Sequence, residues 1–197
     1  MTRQMYIDLV KRALLGTIYR GGGGSVFNAR TEAEATAAGV LWQSGHRVST
    51  NVSDEERKLG RDWPDIALTM VGQARLDNVQ YCIETVIREK AAGDLVETGV
   101  WRGGVGILMR AIVKAWEPWD ETPDRFVWMA DSFAGLPKPD PIAYPTDAGD
   151  AHHAIEALRV PMEDVADNFA RFDLLDDGVV FVRGWFRDTL PTISVEK

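Results

Sequence analysis

A single cysteine, Cys82, cannot close an internal disulfide, so nothing in the chain requires an oxidising compartment, and Cys82 reads as a small core residue. No apolar run approaches the roughly 20 residues that would cross a bilayer. The N-terminus, MTRQMYIDLVKRALL, alternates charged and apolar residues and lacks a signal-peptide core. A cytoplasmic protein is the expectation. Basic residues are also in short supply: 22 Lys and Arg against 30 Asp and Glu leave a net charge of −8, which disfavours nucleic acid and anionic membrane surfaces as partners. Dedicated catalytic strings such as H-E-x-x-H, C-x-x-C and the P-loop are absent. What is present, 197 residues with 45% hydrophobic and 26% charged, fits a soluble globular domain and excludes coiled-coil and collagen-like chains.

Tyr6, Leu9, Val10, Ala13, Leu14 and Ile18 recur at helical spacing and predict an opening helix. Residues 21–25 read GGGGS, a flexible joint by composition, and residues 26–60 show weak periodicity, read as a mobile or partly helical lid. From Trp63 onward the pattern sharpens. Pro64 and Asp65 suit a helix start, and Val79, Cys82, Ile83, Val86 and Ile87 continue at helical spacing, predicting one helix from about Pro64 to Lys90. Asp94 to Val100 is a short buried strand entering a glycine-bearing turn, residues 107–116 form a helix, and Phe126 to Ala130 is a second strand ending at Asp131. A helix around Met162 to Leu175, a turn at Asp176-Asp177-Gly178 and a strand at Val179 to Val182 follow. Strands alternating with helices predict an α/β, Rossmann-like fold with an open, mostly parallel sheet, here its first three strands, behind an N-terminal helical cap. The expected division is 1–62, the cap with a lid or oligomerisation segment, and 63–197, the cofactor-binding part.

The chemistry concentrates after the first of these strands. Glu97-Thr98-Gly99-Val100-Trp101-Arg102-Gly103-Gly104 places an acid at a strand end and glycines where backbone must approach a ligand, but lacks the G-x-G-x-x-G spacing of a dinucleotide site. The E-x-G-x-x-x-G order is similar to the turn of class I S-adenosylmethionine-dependent methyltransferases. Asp131 closes the next strand, where the resemblance implies an acid that accepts the two ribose hydroxyls, a carboxylate offering two acceptor oxygens to two adjacent donors. The bland alternative is a tight glycine turn with Glu97 and Asp131 as solvated strand ends.

Longer strings sharpen the resemblance. Leu95 to Gly104, Ala130-Asp131-Ser132-Phe133-Ala134-Gly135-Leu136-Pro137 and Gly184-Trp185-Phe186-Arg187-Asp188-Thr189-Leu190-Pro191 resemble the macrocin O-methyltransferase family. Tyr6 to Arg12, Thr69-Met70-Val71-Gly72, Arg75-Leu76-Asp77-Asn78, Asn168-Phe169 and Leu174-Leu175-Asp176-Asp177 add to it. The resemblance covers about residues 5–19 and 63–197. It implies methylation of sugar hydroxyls on macrolide-like natural products, a glycosylated small-molecule partner and a homo-oligomer. It also implies an S-adenosylmethionine pocket made by Thr69, Met70, Glu97, Thr98, Gly99, Val100, Trp101, Gly103, Asp131, Ser132, Phe133, Gly184 and Trp185. Phe133 and Trp185 would bound the adenine by stacking or belong to the core, Ser132 would hydrogen-bond it, and Met70 is also a candidate packing residue. Arg102 would hold a carboxylate or stand in solvent. Trp63 matches the aromatic position bordering the sugar acceptor, or packs at a helix start.

The family's divalent cation, Mg²⁺, is held by aspartates in L-R-x-D-G-D-like and I-D-D-Y-like strings that have no counterpart before Lys197, so no metal ligand is assigned. The expectation drawn from this is a fragment, a truncated chain or one part of a complementing assembly. Two alternatives stand beside the methyltransferase: a noncatalytic cofactor-binding or assembly module, and a nucleotide-sugar or other Rossmann-like binder. His46, His152 and His153 are candidate bases, with His152-His153 after Asp147 and Asp150 read as a solvent-facing loop.

Overall fold

A computed structural model of the chain describes residues 2–18, 25–27, 53–116 and 125–193. The expectations that rest on residues 21–24, 28–52 and His46 lie outside them. The first helix, α1 (Arg3–Leu14), starts where the Thr2 hydroxyl accepts the Met5 N–H. Its buried stripe is Ile7, Val10, Lys11 and Leu14, whereas Leu9 is 45% exposed. Lys11 keeps its place in that stripe because its ammonium donates to Asp77 Oδ1 at 2.6 Å and Gln80 Oε1 at 2.5 Å.

β1 (Ser25–Phe27) pairs antiparallel with β2 (Trp63–Pro64), which ties together residues on either side of the expected boundary between 62 and 63. Between them lies α2 (Asp54–Leu59), fixed by a capping box in which Ser53 and Glu56 bond each other's backbone. The expected helix from Pro64 is corrected: α3 spans Gly72–Arg88. The peptide groups of residues 65–68 are drawn elsewhere. Arg102 donates to the carbonyls of Asp65 and Ala67, Leu68 N–H donates to Leu14, and the Leu68 carbonyl accepts Gly104 N–H. Helical i to i−4 bonds would compete for the same groups. Thr69 and Met70 therefore precede the helix instead of lying on it. Cys82 is also corrected, since it sits exposed on α3 while Leu76, Gln80 and Ile83 face inward.

Three short apolar runs become β3 (Leu95–Thr98), β4 (Val127–Asp131) and β5 (Val179–Arg183), all parallel in the order β3-β4-β5. Leu95 pairs with Val127 and Asp131 with Arg183, so the strand ends and the loops that leave them are level. α4 (Gly104–Trp116) connects β3 to β4, α5 (Met162–Arg171) precedes β5, and the short α6 (Phe186–Thr189) follows it. Val127, Met129 and Ala130 on the central strand are buried with Ile107, Leu108 and Ile112 of α4, Val165 and Phe169 of α5, and Ile7 and Leu14 of α1. Each large aliphatic side chain buried this way contributes about 1.5–3 kcal/mol. Buried Arg110 reaches Asp176 at 2.8 Å and Lys114 reaches it at 3.0 Å, pinning α4 to the turn before β5. Burial alone would raise the Asp176 carboxyl, but the hydrogen bonds from Arg110 and Lys114 outweigh it and hold it below the usual range.

Candidate functional site

The carboxyl ends of β3, β4 and β5 open onto a cavity of about 640 Å³, the position where open parallel sheets take their ligands. Gly99 turns the chain out of β3 with φ +87°, and a Cβ built there meets nothing within 4 Å. Its bare backbone faces open space, and glycine alone adopts this conformation without strain. Asp131 lines the cavity from β4 and binds the two loops together. Its Oδ2 accepts Val100 N–H at 2.6 Å, and its Oδ1 accepts Phe133 N–H at 2.9 Å and the Ser132 hydroxyl at 3.3 Å. Gly184 N–H donates to the Asp131 carbonyl, bringing the turn after β5 to the same place.

Of the residues singled out from sequence, Gly99, Asp131, Ser132, Gly184 and Trp185 line this cavity, with Trp185 37% exposed. Sequence reasoning missed Gly135, Leu136, Pro137, Lys138 and Asp140 in the loop after β4, and Phe186 and Arg187 beside Trp185. Their signal was adjacency: both stretches continue strings already recognised. The other candidates lie around the cavity without lining it. Thr98 is exposed at the end of β3, and Val100 and Gly103 are buried in the turn, Gly103 against Val165 and Phe169. Trp101 points away, its indole N–H donating to Ala157 at 2.8 Å. Phe133 packs in the core: at φ 52° its ring turns inward, is 5% exposed and lies 6.0 Å from the Phe181 ring. Thr69 is buried with its hydroxyl accepting Val71 N–H, Met70 is half-buried, and Trp63 is half-buried in β2. Arg102 neither stands free in solvent nor reaches into the cavity: besides its carbonyl partners it lies 4.3 Å over the Trp101 ring. His152 is exposed with Nδ1 2.5 Å from Asp150, in a loop among short 3₁₀ turns. Among the described residues no group of three or more His, Cys, Asp or Glu is gathered as a cation site, and no helix is long and apolar enough to cross a membrane.

Glu97 lies at the end of β3 with its carboxyl buried against α4. A Cβ on Gly106 would stand 3.1 Å from Glu97 Oε2 and 2.2 Å from Met129 Cε, and Oε2 has no hydrogen-bonding partner. Burial is the main reason its pKa rises from 4.5 to about 8; the Gly106 N–H offsets part of that and the neighbouring Asp131 charge adds to it. The folded protein thus keeps a proton that the unfolded chain has lost between about pH 4.5 and 8. Stability from this group is greatest at the acid side of that window and declines as pH rises towards 8. Melting curves between pH 5 and 8 should show the parent losing a few kcal/mol, roughly 5–10 °C, relative to Glu97→Gln. Parallel curves for the two proteins would remove this assignment.

These features define a class: an open parallel α/β protein of the Rossmann-like kind, with its ligand site over the carboxyl ends of neighbouring strands. The model of the family described as Macrocin-O-methyltransferase (TylF) matches residues 3–197. The chain is 44% identical over 190 residues to 8-demethyl-8-(2,3-dimethoxy-alpha-L-rhamnosyl)-tetracenomycin-C 4'-O-methyltransferase of Streptomyces olivaceus, covering 96% of this chain and 64% of that protein. It is 39% identical over 198 residues to mycinamicin III 3''-O-methyltransferase of Micromonospora griseorubida, covering 98% of this chain and 69% of that one. The solved O-methyltransferase NovP superposes with a TM-score of 0.77 at 40% identity, covering 98% of this chain and 69% of NovP. The chain belongs to the macrocin O-methyltransferase family, and it spans 64 to 69% of the length of these relatives.

Proposed function

We propose that this chain carries the cofactor-binding part of an S-adenosylmethionine-dependent O-methyltransferase acting on a sugar hydroxyl of a glycosylated natural product. The observation that carries the reading is the cavity at the tips of β3 and β4, where Gly99 presents bare backbone beside the Asp131 carboxylate, inside a chain matched to the family over residues 3–197. The two similar enzymes named for sugar-bearing antibiotics support the acceptor class.

The residues present fit the cofactor. Gly99 leaves room that any side chain would take, and the buried Glu97 Oε2 is an acceptor without a partner. Asp131 would receive the two ribose hydroxyls on lone pairs that its backbone donors leave free, Ser132 and Gly184 would edge the base, and Trp185 would cover it. When bound, S-adenosylmethionine supplies a methyl group on a positively charged sulfur. The protein's part is to hold that ligand in one orientation and keep water from it, which favours in-line attack by a positioned hydroxyl. The expected Mg²⁺ finds no gathered set of hard oxygen ligands among the described residues.

The test is calorimetric titration with S-adenosylhomocysteine, followed by a methyl-transfer assay with S-adenosylmethionine, Mg²⁺ and a deoxysugar glycoside. Saturable binding with methylated product supports the reading. Binding without transfer favours the noncatalytic module, and no binding at all sinks the cofactor assignment.

A further inference from the structure

This inference rests on the cofactor reading and concerns what holds the glycine turn in the shape that leaves its backbone open to a ligand. Gly99, Trp101 and Gly103 all have positive φ, at 87°, 48° and 85°. Glycine takes such values freely, but a tryptophan does so only where its surroundings hold it there. The turn between β3 and α4 therefore depends on anchors outside itself.

Two side chains grip its main chain from different elements. On β4, Asp131 Oδ2 accepts Val100 N–H at the edge of the ligand cavity. On α5, Asn168 Nδ2 donates to the Arg102 carbonyl at 3.0 Å. Val165 and Phe169, on the same face of that helix, close on Gly103: a Cβ there would stand 2.8 Å from Val165 Cγ1 and 3.3 Å from Phe169 Cε2. The Trp101 indole N–H is taken by the Ala157 carbonyl, in the stretch that leads into α5. Three consecutive residues of the turn, 101 to 103, are thus met from α5 and its approach.

Asn168 is buried, and its amide is engaged at both ends. Its Oδ1 accepts Arg171 Nη1 at 3.3 Å, which leaves Nδ2 to face the carbonyl. It lines a second cavity, of about 500 Å³, that shares no lining residue with the ligand cavity. Packing alone does not require an amide at this place. A carbonyl in a strained turn does require a donor, because leaving it unbonded costs free energy and frees the peptide to rotate.

We propose that Asn168 is a positioning residue for the cofactor site. It fixes the peptide between Arg102 and Gly103 and, through the left-handed Trp101, the Gly99 backbone that faces the ligand. Asp131 sets the turn from β4 and Asn168 sets it from α5, the second without touching the ligand.

Calorimetric titration with S-adenosylhomocysteine, well below every melting midpoint, reads the effect. Asn168→Asp keeps the shape of the side chain and its contact with Arg171 but turns an acceptor towards the Arg102 carbonyl, so affinity should fall about tenfold. Asn168→His keeps an N–H on Nδ1, two bonds from Cβ as Nδ2 is, and the adjoining cavity gives its ring room; affinity should stay within about threefold of the parent. Asp176→Asn, which loosens α4 from the turn before β5 at the other end of the strands, controls for general loosening: its melting midpoint should fall while its affinity matches the parent's. Parent-like affinity in Asn168→Asp, equal losses in the aspartate and histidine variants, or a matching loss in Asp176→Asn each overturns the proposal and leaves the cofactor reading intact. Absence of S-adenosylhomocysteine binding by the parent overturns both. If Asn168→Asp does not fold, Asn168→Ala, which removes the donor without adding a charge, takes its place in the same comparison.

Discussion

Replacing Asp131 with asparagine should lower affinity for S-adenosylhomocysteine by about 10- to 100-fold and the midpoint of thermal unfolding by roughly 5 °C. Both effects come from the same two oxygens. One holds Val100 N–H and the other holds Phe133 N–H, on loops that leave different strands. An amide has only one acceptor oxygen, so whichever way the new side chain turns, its N–H₂ group faces a backbone N–H. Losing a charge-assisted bond of this kind costs about 1.5–3 kcal/mol, which sets the thermal shift. The binding loss adds the acceptor that one ribose hydroxyl would have used. Calorimetry and thermal melts on the same preparation read the two quantities separately. Unchanged affinity would remove Asp131 from the ligand site even if the melting point fell.

Gly104→Ala is expected to be strongly destabilising, at about 3 kcal/mol, or roughly 10 °C in the melting midpoint. A Cβ there would stand 2.4 Å from the Leu68 carbonyl oxygen, 2.7 Å from its carbon and 2.8 Å from Thr69 Cβ. Two of these are main-chain atoms, which cannot swing aside as a flexible side chain would. The change also strains the bond from Gly104 N–H to Leu68. Gly99→Ala makes an informative contrast. Its Cβ meets no atom within 4 Å, so the cost is confined to the left-handed backbone, about 1–2 kcal/mol. Should Gly104→Ala melt with the parent, the packing of α4 on the 66–69 segment would be wrong as described.

Where the sequence could be read, the signal was local. The runs at 95–98, 127–131 and 179–183 are short, apolar and closed by glycine or acid, and each became a parallel strand. The segment ahead of α3 misled because Trp63-Pro64-Asp65 carries the side chains of a helix start. What decides its conformation is Arg102, nearly forty positions later, and Gly104 on α4. Phe133 left two readings open for a related reason. Beside Asp131 and Ser132 it looks like a pocket wall, but its positive φ turns the ring onto Phe181, which no local pattern announces. Lys11 was invisible as a buried residue because its partners Asp77 and Gln80 belong to another helix. In the site, residue types at strand ends were legible, whereas the reach of the loop from Gly135 to Asp140 depended on how the chain folds back after β4.

The two peptide bonds at Leu68 join three distant stretches. Its nitrogen is tethered to the last turn of α1 and its oxygen to the first residue of α4, while the neighbouring Ala67 oxygen is gripped from the glycine turn by Arg102. The last turn of α1 and the first residue of α4 are thus joined through one residue by two main-chain hydrogen bonds, a coupling that does not depend on side-chain packing. A change that moves the last turn of α1 must therefore move the start of α4 with it or break one of these bonds.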